Sequence, residues 1–368
     1  MRSVEGQRLK TRGLGLLAFL FMACSSFAID PEEHMQFADG LYARKLYEMA
    51  IREYLVLSKE APRYENIDVA LFRLAESYRR MGKKTDSVRF HERLIKEHPQ
   101  SAFRFKAHLR RAEMYASEGK YEGAIPFFQT LLELTPPPEI AVSAHYYLGF
   151  SLKKTDQAKD AEKAFRRVVD EYVDSPFMSF ACIELADMYR QQKRRKKDIQ
   201  TLYQKAADNP ATDRVGAEAL FQLGEWASKH KKYEQSIQAY EQLISTYPKS
   251  PRVKEFERHV VWSYYYIGRY QEALALIGNV LTRSENPDQA EWLYIKANCE
   301  RKSGKNKEAL ATYDQLITGF PASPFVMGAG YEKALIAFTD NDFRAVIEQL
   351  EKMDPTDPIK KDAYWLLA

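Results

Sequence analysis

The chain has 368 residues, 16 of them glycine, and 55 Lys and Arg stand against 51 Asp and Glu. Four of those cations and one acid fall in the first 28 residues; the rest is balanced at 51 to 50, which excludes a generic nucleic-acid binder. Such a length ordinarily means two or three domains, but low glycine with abundant Leu, Ala, Tyr, Phe, Lys and Glu points to one all-helical architecture.

The first 28 residues differ from the rest. Arg2, Arg8, Lys10 and Arg12 give a basic start, Leu14 to Ala23 is an apolar run of ten, and Ser26-Phe27-Ala28 has the small-x-small form of a cleavage site. This predicts a secretory signal peptide over 1–28, since a membrane span needs about 20 apolar residues. Two processing routes stay open: release after Ala28, which the spacing favours, and lipid attachment at Cys24, which Ala23-Cys24 allows and Phe21 fits poorly. Either route predicts an exported protein, periplasmic or outer-membrane associated. The remaining cysteines, Cys182 and Cys299, are too far apart in the chain's repeating pattern to bridge and read as small packing residues.

From Ile29 onward the chain repeats. In 216–251, GAEALFQLGEWASKHKKYEQSIQAYEQLISTYPKSP, one apolar face runs through Ala219, Leu220, Leu223 and Ala227, and a second through Ile237, Tyr240, Leu243, Ile244 and Tyr247. The polar turn SKHKK separates them, and Pro248 and Pro251 end the second helix. Gly224 and Ser236 stand where the helices cross; a larger side chain there would hold them apart. The small residue early in the second helix recurs as Ala50, Ser87, Ala124, Ala161, Asp198, Ser236, Ala273, Ala309 and Ala345, at intervals of 37, 37, 37, 37, 38, 37, 36 and 36.

Helix pairs with small crossing residues and a closing proline resemble the tetratricopeptide repeat, here longer than the common period of about 34. The resemblance implies an all-α fold: a right-handed α-solenoid of stacked antiparallel helix pairs, about nine repeats plus the start of a tenth. The boundaries are 33–62, 67–99, 105–136, 142–176, 179–210, 215–251, 255–287, 288–324 and 325–355, with a partial repeat at 361–368. Pro126 should kink the third repeat's second helix or delay its start. Asp198 puts the packing of the fifth repeat in question, and Val261 stands where the seventh should carry glycine or alanine. Because the chain stops on Tyr364-Trp365-Leu366-Leu367-Ala368, an apolar helix start, it reads as the N-terminal part of a longer protein.

No residue pattern of an enzyme appears. The seven histidines show no metal-ligand spacing, no nucleotide-binding loop or nucleophile elbow is present, and Gly328-Ala329-Gly330 follows no strand. Neither a cofactor nor a metal is expected. Two surface features could carry function instead. In this repeat family the first helices line a concave face, and the register of 216–251 places Phe72, Tyr146, Phe150, Ile183, Phe221, Trp262, Tyr265 and Tyr294 there, with Arg79, Arg190 and Arg301 one or two turns along. Aromatic anchors beside arginines suit a protein or peptide partner; the same stripe also suits inter-repeat core. Basic residues also gather in the turns inside repeats, most densely at Lys193, Arg194, Arg195, Lys196 and Lys197. They serve either helix C-termini and solvation or an edge facing an anionic membrane surface or an acidic partner.

A narrower resemblance rests on YPKSP (Tyr247 to Pro251), FPASP (Phe320 to Pro324) and the signal peptide. These look like the BamD-type outer-membrane assembly lipoproteins and the periplasmic Tol-Pal-associated repeat proteins, and imply a bacterial envelope scaffold. The alternative is a substrate-positioning part of a cell-wall or envelope enzyme whose catalytic domain lies beyond Ala368.

Overall fold

The computed structural model describes residues 30–282 and 288–353. The signal peptide, Cys24 and the partial tenth repeat lie outside the described residues. Those described form eighteen helices and no strand, in two compact units that divide between Tyr172 and Val173. The first unit holds four helix pairs: α1 (Pro31–Ala43) with α2 (Tyr47–Glu60), α3 (Ile67–Arg80) with α4 (Lys84–Glu97), α5 (Arg104–Ser117) with α6 (Tyr121–Glu133), and α7 (Pro138–Lys154) with α8 (Ala158–Glu171). The second holds five: α9 (Pro176–Gln191) with α10 (Lys196–Asp208), α11 (Asp213–Lys229) with α12 (Tyr233–Thr246), α13 (Arg252–Tyr266) with α14 (Tyr270–Leu281), α15 (Gln289–Lys302) with α16 (Asn306–Gly319), and α17 (Phe325–Thr339) with α18 (Phe343–Glu351). Pro126 sits inside α6, yet α6 begins five residues earlier at Tyr121, so its start is not delayed.

One packing rule builds every pair. A crossing residue on the first helix meets a crossing residue twelve positions on (thirteen between α9 and α10), and the side chain four residues after that second one wedges between the helices. In the first unit the wedges are Tyr54, His91, Phe128 and Phe165, all at 0% exposure. In the second they are Tyr203, Tyr240, Ile277, Tyr313 and Leu350, none above 2%. The crossing is tight: the Ser236 hydroxyl donates to the Gly224 carbonyl at 2.9 Å, and a Cβ on Gly224 would lie 2.6 Å from the Tyr240 ring. Val261, fully buried, takes the crossing position in α13, where Ile277 is a slimmer wedge than tyrosine.

Two positions differ from the sequence reading. Asp198 and Ala345 are not buried; Ile199 and Val346 are, at 2% and 0% exposure, with their wedges four residues later. The crossing intervals are therefore 37, 37, 37, 38, 37, 37, 36 and 37. The physical reason for the first shift lies in the turn. Eight of the nine turns inside pairs have three residues between the helices; the turn from α9 to α10 has four, 192–195.

The turns are built alike. Each places a residue in the left-handed region two positions after the first helix: Lys45, Gly82, Gly119, Asp156, Lys193, Lys231, Gly268, Gly304 and Asn341, with Arg195 a second one in the turn from α9 to α10. The next amide then donates back across the helix end, as Lys83 does to the Tyr78 carbonyl (2.9 Å) and Arg269 to that of Tyr264 (2.9 Å), closing a carbonyl the helix leaves open. Helix starts are set by Asp30, Ser175, Thr212 and Asp342, whose side chains accept from first-turn amides. Cys182 and Cys299 are free, buried thiols. The YPKSP loop has a packing role: the Tyr247 ring fills the space beside Gly216, which a Cβ would occupy.

Candidate functional site

The first helices of successive repeats touch one another in each unit: α1 with α3 and α5 with α7, then α9 with α11, α11 with α13, α13 with α15 and α15 with α17. The face on which they meet offers three columns, set by distance from the crossing residue.

The column three residues before the crossing holds Phe72, Tyr146, Ile183, Phe221 and Tyr294. Four of these rings lie against the wedge of their own repeat: Phe72 against His91 (5.8 Å between centroids), Tyr146 against Phe165 (5.9 Å), Phe221 against Tyr240 (6.1 Å) and Tyr294 against Tyr313 (6.5 Å). Phe72 and Tyr294 also stack on Phe103 and Phe325 of the next repeat, at 4.8 and 5.3 Å. These side chains seal the repeats.

The column just after the crossing reads Asp39, Glu76, Glu113, Phe150, Asp187, Glu225, Trp262, Asn298 and Leu335. It tracks the wedge. Tyr54 donates to Asp39, Tyr203 to Asp187 and Tyr313 to Asn298, each at 2.6 Å, and His91 approaches Glu76 at 3.8 Å. A buried hydroxyl needs a partner, and for Tyr54, Tyr203 and Tyr313 this column supplies it. Where the wedge is Phe165, Ile277 or Leu350 there is nothing to satisfy, and the column turns to Phe150, Trp262 and Leu335.

The column four residues after the crossing carries Arg79, Arg190, Tyr265 and Arg301. All three arginines are ion-paired within the array. Arg79 grips Glu76 with two bonds, at 2.9 and 2.7 Å. Arg190 pairs with Asp187 at 3.1 Å and reaches Glu225 on the next repeat at 3.3 Å. Arg301 pairs with Glu332 of the next repeat at 2.7 Å. Glu76 is 5% exposed; burial alone would raise its pKa, but Arg79, Arg110 and His91 outweigh that and hold it below the usual carboxylate range. Burial raises the Glu332 pKa against the pull of Arg301 and Lys302.

Two patches remain open on this face. In the first unit, a cleft of about 660 Å³ brings Arg79 and Phe150 together with Lys84, Arg110, Glu113, Tyr121 and Tyr147. In the second unit, Trp262 and Tyr265 (5.6 Å apart) join three rings that sequence reasoning missed. Tyr266 stacks on Tyr233 at 4.8 Å and on Trp262 at 5.8 Å, and Tyr270 lies 5.8 Å from Tyr265. Tyr266 is 57% exposed. A signal for two of the missed rings was present: an aromatic recurs as the first residue of the second helix, as Tyr47, Tyr121, Tyr233, Tyr270 and Phe343. Among the described residues no His, Cys, Asp or Glu group could hold a metal ion.

Lys193, Arg195, Lys196 and Lys197 are exposed and Arg194 is half-buried. The Arg194 and Arg195 guanidiniums lie over the Tyr189 ring at 5.0 and 5.4 Å.

This geometry defines, in each unit, an array of antiparallel helix pairs. Tetratricopeptide repeat models match residues 69–101, 107–141, 143–175, 218–250 and 261–324, together more than half of the chain, and the chain belongs to the tetratricopeptide repeat family. Proteins of this kind bind protein partners, and the fold is typically that of a non-enzymatic scaffold. No curated protein matches the sequence. Similar solved structures include PilW, titled a widely conserved type IV pilus biogenesis factor (17% identity, covering 61% of this chain and 97% of that one, TM-score 0.45). PilF of Pseudomonas aeruginosa is 17% identical over 62% of this chain and 97% of its own, with a TM-score of 0.40. MamA of Desulfovibrio magneticus RS-1 is 16% identical over 49% and 96%, with a TM-score of 0.42.

Proposed function

We propose that this protein is a non-enzymatic scaffold of the bacterial cell envelope that holds a partner protein or peptide on its first-helix face. One observation carries the reading. Phe150 and Trp262 are large aromatic side chains at positions where the fold asks for nothing, because Phe165 and Ile277 leave no polar group to satisfy. They are half-buried, so they offer apolar area at little cost in side-chain entropy. Arg79 and Tyr265 stand beside them as the first partner contacts. Phe72, Tyr146, Phe221, Tyr294, Arg190 and Arg301 hold that surface in shape. The envelope part rests on the basic start, apolar run and cleavage site of residues 1–28, with Cys24 as the alternative point of lipid attachment. The YPKSP and FPASP loops support it as a resemblance to envelope repeat scaffolds. No helix among the described residues is long and apolar enough to cross a membrane.

The test is site-specific photo-crosslinking in native envelopes, with the probe at Phe150, at Trp262 and, as a control on a second helix, at Ile244 (38% exposed). A discrete adduct at Phe150 and Trp262 but not at Ile244 is expected, and mass spectrometry then identifies the partner. Folded, abundant protein with no adduct at either face position removes the proposal.

A further inference from the structure

The turn between α9 and α10 departs from the other eight in several respects at once. It has one residue more than they do. It holds two non-glycine residues in the left-handed region, Lys193 (φ 52°) and Arg195 (φ 50°), where the others hold one residue each. Left-handed backbone is strained for side chains with a Cβ, and such strain persists where surrounding structure or use maintains it. The extra residue adds nothing to the core: Ile199 and Tyr203 restore the crossing and the wedge as elsewhere. What the insertion changes is the surface, which carries five consecutive cations.

The neighbouring turn extends the patch. Lys232 donates to Gln200 on α10 at 2.8 Å, which ties the turn between α11 and α12 to the start of α10. Lys231 is exposed beside it. Lys193, Lys196, Lys197 and Lys231 are all exposed and make no ion pair with another described residue. Among the tips of the other seven turns only RKL carries two cations; MGK, EGK, IGR and SGK carry one each, TDQ and DND none, and none has a run like 193–197.

We propose that these two turns form a docking patch for an anionic lipid surface. The chemistry favours lipid over an acidic protein segment. Residues 192–195 and 230–232 expose no large apolar side chain, so the patch lacks the anchors on which a bound peptide depends. Its free cations are lysines, compact point charges that suit a diffuse sheet of headgroups more than the bidentate grip of arginine on one carboxylate. The patch is separate from the first-helix face and holds whether or not that face binds a protein.

The experiment uses the exported form of the full chain and sedimentation with vesicles of phosphatidylcholine, alone or with about a third phosphatidylglycerol. Binding is expected only to the anionic vesicles, and it should fall steeply as salt rises from ~0.05 to ~0.3 M. The triple variant Lys193→Gln, Lys196→Gln, Lys197→Gln should lower the partition coefficient about 100-fold, since each charge near such a surface is worth roughly fivefold. Changing Lys59, Lys96 and Lys159 to Gln alters net charge equally and should leave binding intact. All six side chains are exposed, so folding is expected to survive, checked by circular dichroism. Equal sedimentation with neutral vesicles, or an unaffected Lys193/Lys196/Lys197 variant, overturns the assignment. Binding to poly-glutamate without binding to anionic vesicles hands the patch to an acidic protein and overturns it too. Competition by millimolar inorganic phosphate at constant ionic strength points to a free phosphate ligand and equally removes the lipid reading. The photo-crosslinks at Phe150 and Trp262 should be the same in the triple variant, so failure of either proposal leaves the other standing.

Discussion

Repeats two and seven use the same two positions of the first helix for opposite purposes. In repeat two they hold Glu76 and Arg79; in repeat seven, Trp262 and Tyr265. In repeat two the carboxylate is turned inward, with Glu76 buried between Arg79, Arg110 and His91. The aromatic pair is turned outward, extending to the exposed ring of Tyr266. Both are helix pairs joined by a three-residue turn, so the fold leaves these positions free and the wedge decides their use. An imidazole wedge calls for a carboxylate, while an isoleucine wedge calls for nothing and leaves the face to a partner.

The largest expected effect tests that division. Glu76→Gln keeps the volume but leaves Arg79 and Arg110 without their carboxylate. Breaking a buried pair from one side costs about 3 kcal/mol or more. Trp262→Gln, on the half-buried side of the comparison, should cost only about 1 kcal/mol. Urea midpoints of both variants, measured side by side, decide it. If Trp262→Gln unfolds the protein as readily as Glu76→Gln, the aromatic pair is core and the division collapses.

The next effect is a pH dependence carried by repeat two. Burial drives the His91 pKa down to about 4, outweighing the attraction of Glu76, with Arg110 and Arg79 adding to the depression. Its unfolded value is near 6.5. Between those values the unfolded chain binds the proton and the folded one does not, so stability is fully present above pH 6.5 and falls as the pH drops towards 4. From pH 7.5 to 5 the loss from this one residue is about 2 kcal/mol. His91→Phe should remove it, because Phe128 and Phe165 fill the same wedge in the two following repeats. His108, also held near 4 by burial and then by Arg111 and Arg104, keeps its own share in that variant. A variant whose urea midpoint still falls by the wild-type amount between these pH values would show that His91 is not the titrating wedge.

How much of this was readable beforehand depends on where the cause lies. The period, the helix pairs and the tight meeting of Gly224 with Ser236 follow from local spacing, and a reader of the sequence meets them directly. Counting by a fixed period points to residue 198 because it cannot see which turn absorbs an added residue; burial of Ile199 shows it. The aromatics at Phe72, Tyr146, Phe221 and Tyr294 share a helical stripe with Phe150 and Trp262, and spacing alone does not say which of them reach the wedge. The ion pairs from Arg190 to Glu225 and from Arg301 to Glu332 join successive repeats, so they depend on stacking geometry that no single helix encodes. One clue is legible in the sequence: the residue after the first crossing is acidic or an amide wherever the wedge is tyrosine or histidine; the converse fails once, at Glu113, whose wedge is Phe128.

The smallest effect sharpens the comparison where the two repeats should agree. Gly82 ends the first helix of repeat two with φ 74° and Gly268 that of repeat seven with φ 79°. A Cβ at either would meet no atom within 4 Å, so a substitution there is opposed only by the left-handed backbone. Gly82→Ala and Gly268→Ala should therefore each cost about 1 kcal/mol, and equally. Lys231 already holds this conformation with a side chain (φ 58°), and Lys231→Gly should act in the opposite direction, by a few tenths of a kcal/mol. Thermal midpoints of the three variants measure this. Unequal losses at the two glycines would mean that the turn is not a common part and that repeats two and seven differ in backbone as well as in what their faces carry.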